Sequence, residues 1–185
     1  LRDLTTNTTQ SIETSHAILA DGRGALLPAR PMPTDDFGIK THFVNVDAPT
    51  DTIALFGVNG HYGGLAPIEN DRWNVAFSVP KSRLKSGAKN LDALFTSMVS
   101  ENDALRRQFR RATRVSDWLT SPLPRFAVAD EWPARVIPIG NAAAALEPVG
   151  GEGMGLAMKS AELAADALLS GSSMDQLKQS FDALW

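Results

Sequence analysis

Four glycines in six residues, Gly150, Gly151, Gly153 and Gly155, follow Pro148 and open onto a long amphipathic stretch. The first amides of a helix have no intrahelical acceptor, and the helix dipole adds about half a positive charge at that end. Glycine leaves those amides sterically bare. A helix start of this kind accepts an anion or an electron-rich carbonyl. Upstream, the apolar run Val136-Ile137-Pro138-Ile139 enters Gly140-Asn141 and then Ala142 to Ala145, as a strand entering a small-residue loop does. A P-loop would continue with Gly-Lys-Ser/Thr, and here Leu156-Ala157 follows the glycines, which excludes it. A dinucleotide fingerprint needs a following strand that ends on an acidic residue, and only helical patterns follow. Two readings stay open: a helix start that binds a carbonyl or anion, or a turn that merely lets a small-faced helix pack closely. In that helix Met154, Ala157, Met158, Ala161, Ala165 and Leu168 share an apolar face expected to be buried, with Lys159, Glu162 and Asp166 opposite.

Other reactive side chains form no familiar constellation. His16, His42 and His61 lack metal-ligand spacing and read as strand residues. Lys40 and His42 alternate with Ile39 and Phe43, as on a solvated strand face. Arg106, Arg107, Arg110, Arg111 and Arg114 form a stripe that can grip a phosphate, although helices normally turn such a stripe to solvent. Asp35-Asp36 reads as a pair of loop acids, and no carboxylate pair or Ser/His/Asp set has a hydrolase spacing. The chain has no cysteine, which removes disulfides, thiolate metal sites and cysteine nucleophiles.

The elements that must position these residues can be read in order. Ser11 to Ala20 ends as a strand before Asp21-Gly22, and the glycines and prolines from Gly22 to Pro33 make a linker or structured loop. Thr41–Val46, Ile53–Val58, Gly60–Ile68 and Trp73–Val79 predict an antiparallel sheet of about four strands, with turns at Ala48-Pro49, Asn59-Gly60 and Glu69-Asn70-Asp71. Helices are expected from about Leu91, capped by Asn90 or Asp92, and over Asp103–Arg111. Strands return at Arg125–Ala129 and Arg135–Ile139, and helices close the chain at Glu152–Ser170 and Met174–Leu184. With 185 residues, 43% hydrophobic and 21% charged, this is an ordinary globular composition, not a disordered, coiled-coil or membrane-spanning one. A formal charge of −3 argues against nucleic-acid or anionic-membrane partners and leaves a small molecule as the expected ligand. No signal peptide or membrane span is read, so a cytoplasmic location is expected, with the Asn7-Thr8-Thr9 sequon idle. The chain starts at Leu1 without a methionine, which reads as a fragment or a processed piece.

Ala17-Ile18-Leu19-Ala20-Asp21-Gly22-Arg23-Gly24 resembles the Asp-Gly motif of FAD-dependent oxidoreductases of the aromatic-hydroxylase type. Gly140-Asn141-Ala142-Ala143-Ala144, continuing through Pro148 to Gly155, resembles the Gly-Asp motif of the same superfamily, usually Gly-Asp-Ala-Ala-His, then Pro, then Gly-x-Gly-x. The order is the same. Between them, Phe37 to Phe43 and Gly60 to Pro67 resemble the sheet-forming middle region of the geranylgeranyl-reductase and flavin-halogenase branches.

The resemblance implies an α+β chain of α/β parentage. An antiparallel substrate lobe with helices (35–131) would be flanked by the remnant of an FAD-binding Rossmann-like lobe (1–34 and 132–185). It implies FAD as cofactor, with NAD(P)H as electron donor in an intact relative, and a monooxygenase or reductase acting on an apolar or aromatic small molecule. Gly151, Glu152, Gly153 and Met154 would offer backbone amides to the pyrimidine edge of the flavin, and Pro148 would lie against its face. Asp21 and Gly22 would order the nucleotide-side loops, and Asn141 would stand at the ribityl chain. His61, Tyr62 and Gly63 would line the substrate pocket. Three departures accompany these roles: Asn141 replaces the usual aspartate, Ala144 replaces the histidine, and the N-terminal Gly-x-Gly-x-x-Gly unit is absent. The halogenase Trp-x-Trp-x-Ile-Pro signature is not matched near Gly60–Pro67, which speaks against halogenation. The chain alone is therefore expected to be inactive or incomplete, with a homodimer or pairing with an N-terminal portion as the assemblies left open. The competing reading is a non-catalytic module that binds a hydrophobic ligand without flavin.

Overall fold

The computed structural model describes residues 3, 5–22, 35–87, 90–124, 126, 128–129 and 131–185. The expected linker through Pro33 and the start of the Arg125–Ala129 strand fall largely outside these. The chain divides into two compact units, Leu1–Met32 with Arg125–Trp185, and Pro33–Pro124. Residues 125–131, read from sequence with the sheet lobe, belong to the first unit.

The second unit is built on β2 (Asp36–Val44), β3 (Ala54–Val58), β4 (His61–Ile68), β5 (Arg72–Pro80), β6 (Thr113–Arg114) and β7 (Leu119–Pro122). All pairings are antiparallel, in the order β3-β4-β5-β2-β6, and β7 pairs with β2 as well. The sheet is six-stranded because two short strands after the helices, unread in the sequence, add to the free edge of β2. Asn70 and Asp71 turn the β4–β5 hairpin with φ of 61° and 54°, the left-handed pair that matches strand twist.

Burial alternates strictly along β5, with Trp73, Val75, Phe77 and Val79 inward. Helix α1 (Lys81–Gly87) packs the partly buried Leu84 against the same core, α2 (Leu91–Ser100) supplies Leu94, Phe95 and Met98 to it, and α3 (Asp103–Gln108) supplies Leu105. Asn90 is the α2 cap, its side chain accepting from the Asp92 and Ala93 amides at 3.0 and 3.2 Å. Asp92 instead binds outward, its carboxylate accepting from Arg114 Nε at 2.9 Å and Trp118 Nε1 at 2.8 Å. This clips the strand connection after α3 to the first turn of α2.

In the first unit, β1 (Ala17–Leu19) and β8 (Val136–Pro138) lie parallel, with Ile18 opposite Ile137. A 3-10 turn follows at Gly140–Ala142, then a second at Pro148–Gly150, then α4 (Gly153–Ser170) and α5 (Met174–Leu184). Gly171, with φ of 70°, ends α4, and a Ser173–Gln176 capping box starts α5. Ile137, Ala143, Ala164, Leu177 and Phe181 form the core. Trp132 packs edge-on against Phe181 with ring centroids 5.2 Å apart.

The face of α4 that is buried is not the one the apolar pattern indicates. Met154 and Met158 are 79% and 70% exposed, Ala165 and Leu168 also face out, and the buried line runs through Ser160 and Ala164 with Ala157 and Ala167 half-buried beside it. Approach distance decides the outcome. The Gly140 turn comes so near that a Cβ on Gly140 would sit 3.2 Å from the Ala157 methyl, and only small residues fit there. Ser160, which reads as polar, is fully buried because both its hydrogen-bonding roles are filled.

Candidate functional site

The register of β1 against β8 brings the two motif segments together. Leu19 lies opposite Pro138, and the Ile139 amide donates to the Leu19 carbonyl at 2.9 Å. Asp21-Gly22 and Gly140-Asn141 therefore leave adjacent parallel strands at the same carboxyl edge. Open α/β sheets bind ligands at such edges. Gly22 and Gly140 both turn there with positive φ, 68° and 57°.

Ser160 holds the second segment in place. The Gly140 amide donates to Ser160 Oγ at 2.9 Å, and Oγ donates to the Ala157 carbonyl at 2.9 Å. Ala142 to Ala145 are all buried, and the Ala129 amide donates to the Ala143 carbonyl at 2.7 Å. Asn141 thus projects as an exposed residue from a turn fixed on both sides. Sequence reasoning missed Ser160. Its signal is a serine one turn along from Ala157 on an otherwise apolar line, a spacing that places its hydroxyl over the turn before it.

The start of α4 is open. Residues 151–155 are exposed, the first turn carries no acidic residue, and no side chain among the described residues caps it. The intrahelical ladder begins with the Leu156 amide donating to the Glu152 carbonyl at 3.0 Å, so the amides of Gly153, Met154 and Gly155 precede it without an acceptor among the described residues. Gly151 sits at φ of 69°, and a Cβ at Gly151, Gly153 or Gly155 would meet nothing within 4 Å. The donor set therefore fits a planar, electron-rich group laid against it, with amides in front and the dipole behind, and with the Glu152 carboxylate exposed at the N-cap beside them. Leu146 and Val149 expose apolar surface beside it, and Pro148 opens the 3-10 turn that leads to it.

The expected substrate-pocket triplet splits across the sheet of the second unit. His61 and Gly63 turn inward and are buried, whereas Tyr62 points to the opposite face. Strand alternation imposes this, since adjacent residues take opposite faces. On the outer face Tyr62 shares rows with Ser78 and Gly38, and Gly64 shares a row with Ala76 and Lys40. Asn74 follows, between Ala66 and His42. Among the described residues Asn74 Oδ1 is buried and accepts no hydrogen bond.

His61 has a structural role. Its Nδ1 lies 2.9 Å from the Asn59 carbonyl, Nε2 is buried with no hydrogen-bond partner among the described residues, and the Arg83–Glu101 ion pair stands nearby. Burial, the largest influence, lowers the imidazole pKa below 6.5, while the Asn59 carbonyl and Glu101 oppose the shift and Arg83 adds to it. The unfolded chain then binds the proton more readily than the folded one, so stability rises with pH through this window. Urea midpoints should be level above neutrality and fall as the pH drops below 6.5. His61→Gln should flatten that fall, and a variant that keeps the full slope would show that another group carries it.

Among the described residues no group of His, Asp and Glu can hold a metal ion, and no helix is long and apolar enough to cross a membrane.

This is the fold of the FAD-dependent halogenases and monooxygenases. The myxobacterial chondrochloren halogenase CndH superposes on 97% of the chain with a TM-score of 0.80 at 17% identity, the match covering 45% of that protein. PqsL, a probable FAD-dependent monooxygenase from Pseudomonas aeruginosa, matches 91% of the chain and 50% of its own, with a TM-score of 0.58 and 21% identity. Among curated proteins, the 1H-pyrrole-2-carbonyl-(peptidyl-carrier protein) brominase of Pseudoalteromonas luteoviolacea is 29% identical over 126 residues, 64% of this chain and 30% of that one. No protein-family model matches. The chain spans about half the length of the solved structures and under a third of the curated relative. Halogenases share this fold although the Trp-x-Trp signature is missing from the β4 region. The architecture is common to halogenation and hydroxylation and does not choose between them.

Proposed function

We propose that this chain is the flavin-contacting and substrate-lobe portion of an FAD-dependent oxidoreductase acting on a small aromatic molecule. The observation that carries the reading is the shared carboxyl edge of β1 and β8, where Asp21-Gly22 and Gly140-Asn141 emerge together in the same unit as the uncapped start of α4.

Asn141 would hold the ribityl hydroxyls, Pro148 would support the ring face, and Asp21 with Gly22 would order the nucleotide side. The amides around Gly151, Glu152, Gly153 and Met154 would hold the pyrimidine edge. When bound, FAD supplies the redox chemistry, taking electrons from NAD(P)H and passing them to substrate or to dioxygen. The fixed amides favour negative charge at that edge without reorganising, which is the contribution this chain can make to flavin reduction. On the sheet unit, Tyr62 and Asn74 would supply polar groups on the face that carries Ala76 and Lys40. The likeness to a brominase that acts on a carrier-bound pyrrole supports an aromatic substrate delivered on a carrier protein.

Titration of the chain with FAD, followed by quenching of flavin fluorescence, tests this. Asn141→Asp should tighten binding by about 1–2 kcal/mol, because a carboxylate accepts from two hydroxyls whereas an amide divides its sides between donor and acceptor. Unchanged or weaker affinity would remove Asn141 from the ribityl site. Affinity for apolar probes with none for FAD would favour the flavin-free binding module.

A further inference from the structure

The arginines after Asn102 are unabsorbed by any of this. Residues 101–117 hold five arginines and no lysine, in a chain whose net charge is −3. Two of the five are spoken for: Arg106 pairs with Asp103, and Arg114 clamps Asp92 through Nε at 2.9 Å. Arg107, Arg110 and Arg111 are exposed, and among the described residues no carboxylate pairs with them.

Their backbone is firmly held. The Phe109 amide donates to the Leu105 carbonyl at 2.9 Å, the Ala112 amide to Phe109 at 3.2 Å and the Asp47 amide to Gln108 at 2.9 Å. Leu105 is fully buried, and the Phe109 ring sits 5.0 Å from both Phe43 and Phe95. Three like charges within little more than one turn repel each other, a cost that a partner's anions relieve. Guanidinium forks engage carboxylates in bidentate fashion, and a patch fixed in advance loses little entropy on docking. Its short extent fits a cluster of carboxylates better than the long phosphate track of a nucleic acid.

We propose that Arg107, Arg110 and Arg111 dock an acidic protein surface, that of the carrier delivering the substrate. The identity of the partner rests on the proposed function; the preference for carboxylates rests on the patch alone.

The test measures binding of the full chain to a phosphopantetheinylated peptidyl-carrier domain at several salt concentrations. R107E/R110E/R111E should weaken binding about tenfold or more and flatten the salt dependence, while the matching triple lysine variant should keep most of the association rate and lose in dissociation. Circular dichroism confirms folding of each variant. Equal binding by wild type and the glutamate variant overturns the proposal. So does tighter binding of free phosphopantetheine or a short DNA duplex at the patch. FAD titration of the same samples separates the two readings: docking without FAD affinity sinks the flavin assignment and leaves the patch, and FAD affinity without docking does the reverse.

Discussion

Gly63→Ala should destabilise the protein by about 2–3 kcal/mol, although it replaces a strand glycine with a residue of better intrinsic propensity. Gly63 lies on the inward face of β4, directly opposite Phe77 on β5. A Cβ there would fall inside the Phe77 ring, with Cγ, Cδ1 and Cε1 as its nearest neighbours. The ring has nowhere to go. Phe77 is 2% exposed and is flanked edge-on by Phe95 at 6.0 Å and by His61 at 6.5 Å. Gaining a side chain lowers the entropy of the unfolded strand by only about 0.5–1 kcal/mol in favour of folding, so overpacking wins. Urea denaturation measures the loss. Adding Gly63→Ala to a Phe77→Leu background should cost clearly less than adding it to wild type, because the smaller side chain vacates the space. An unchanged urea midpoint for Gly63→Ala, or equal costs in the two backgrounds, would show that the ring does not fill the glycine's place.

The second large effect is expected at Ser160. Ser160→Ala removes one oxygen that accepts from the Gly140 amide and donates to the Ala157 carbonyl, both at 2.9 Å, at a position with no solvent exposure. The Ala157 carbonyl keeps its place in the helix ladder, but the Gly140 amide is left buried without an acceptor. An orphaned buried donor costs about 1–3 kcal/mol, so a loss near 2 kcal/mol should appear in the unfolding midpoint. Hydrogen exchange localises the effect, since the Gly140 amide should lose protection while the α5 amides keep theirs. Because Gly140 fixes the turn that carries Asn141, FAD affinity should fall in the same variant, making Ser160 a positioning residue. Undiminished protection at Gly140 would show that the turn is held by something other than the serine.

Several features were legible in the amino-acid order because they depend on local chemistry. Asn90 as one of two candidate caps, Gly171 as a helix stop and the Asn70-Asp71 hairpin follow from local backbone preferences. The alternating strands of the sheet, the carboxyl-edge motifs at Asp21-Gly22 and Gly140-Asn141, and the bare start of α4 are similarly local patterns. The added edge strands Thr113–Arg114 and Leu119–Pro122 were not legible, since two- and four-residue segments acquire strand geometry only by pairing with β2.

Tertiary structure alone decided which faces are used. Hydrophobicity ranked Met154 and Met158 as buried and passed over Ser160, but the helix turned its smallest residues toward the Gly140 loop because closeness of approach outweighed apolar area. His61, Tyr62 and Gly63 are consecutive in the chain, yet pleating sends only Tyr62 to the outer face and commits the other two to the core. Residue types and their spacing determine what a segment can do; the direction each side chain finally takes depends on atoms brought near from distant positions, and no local pattern encodes them.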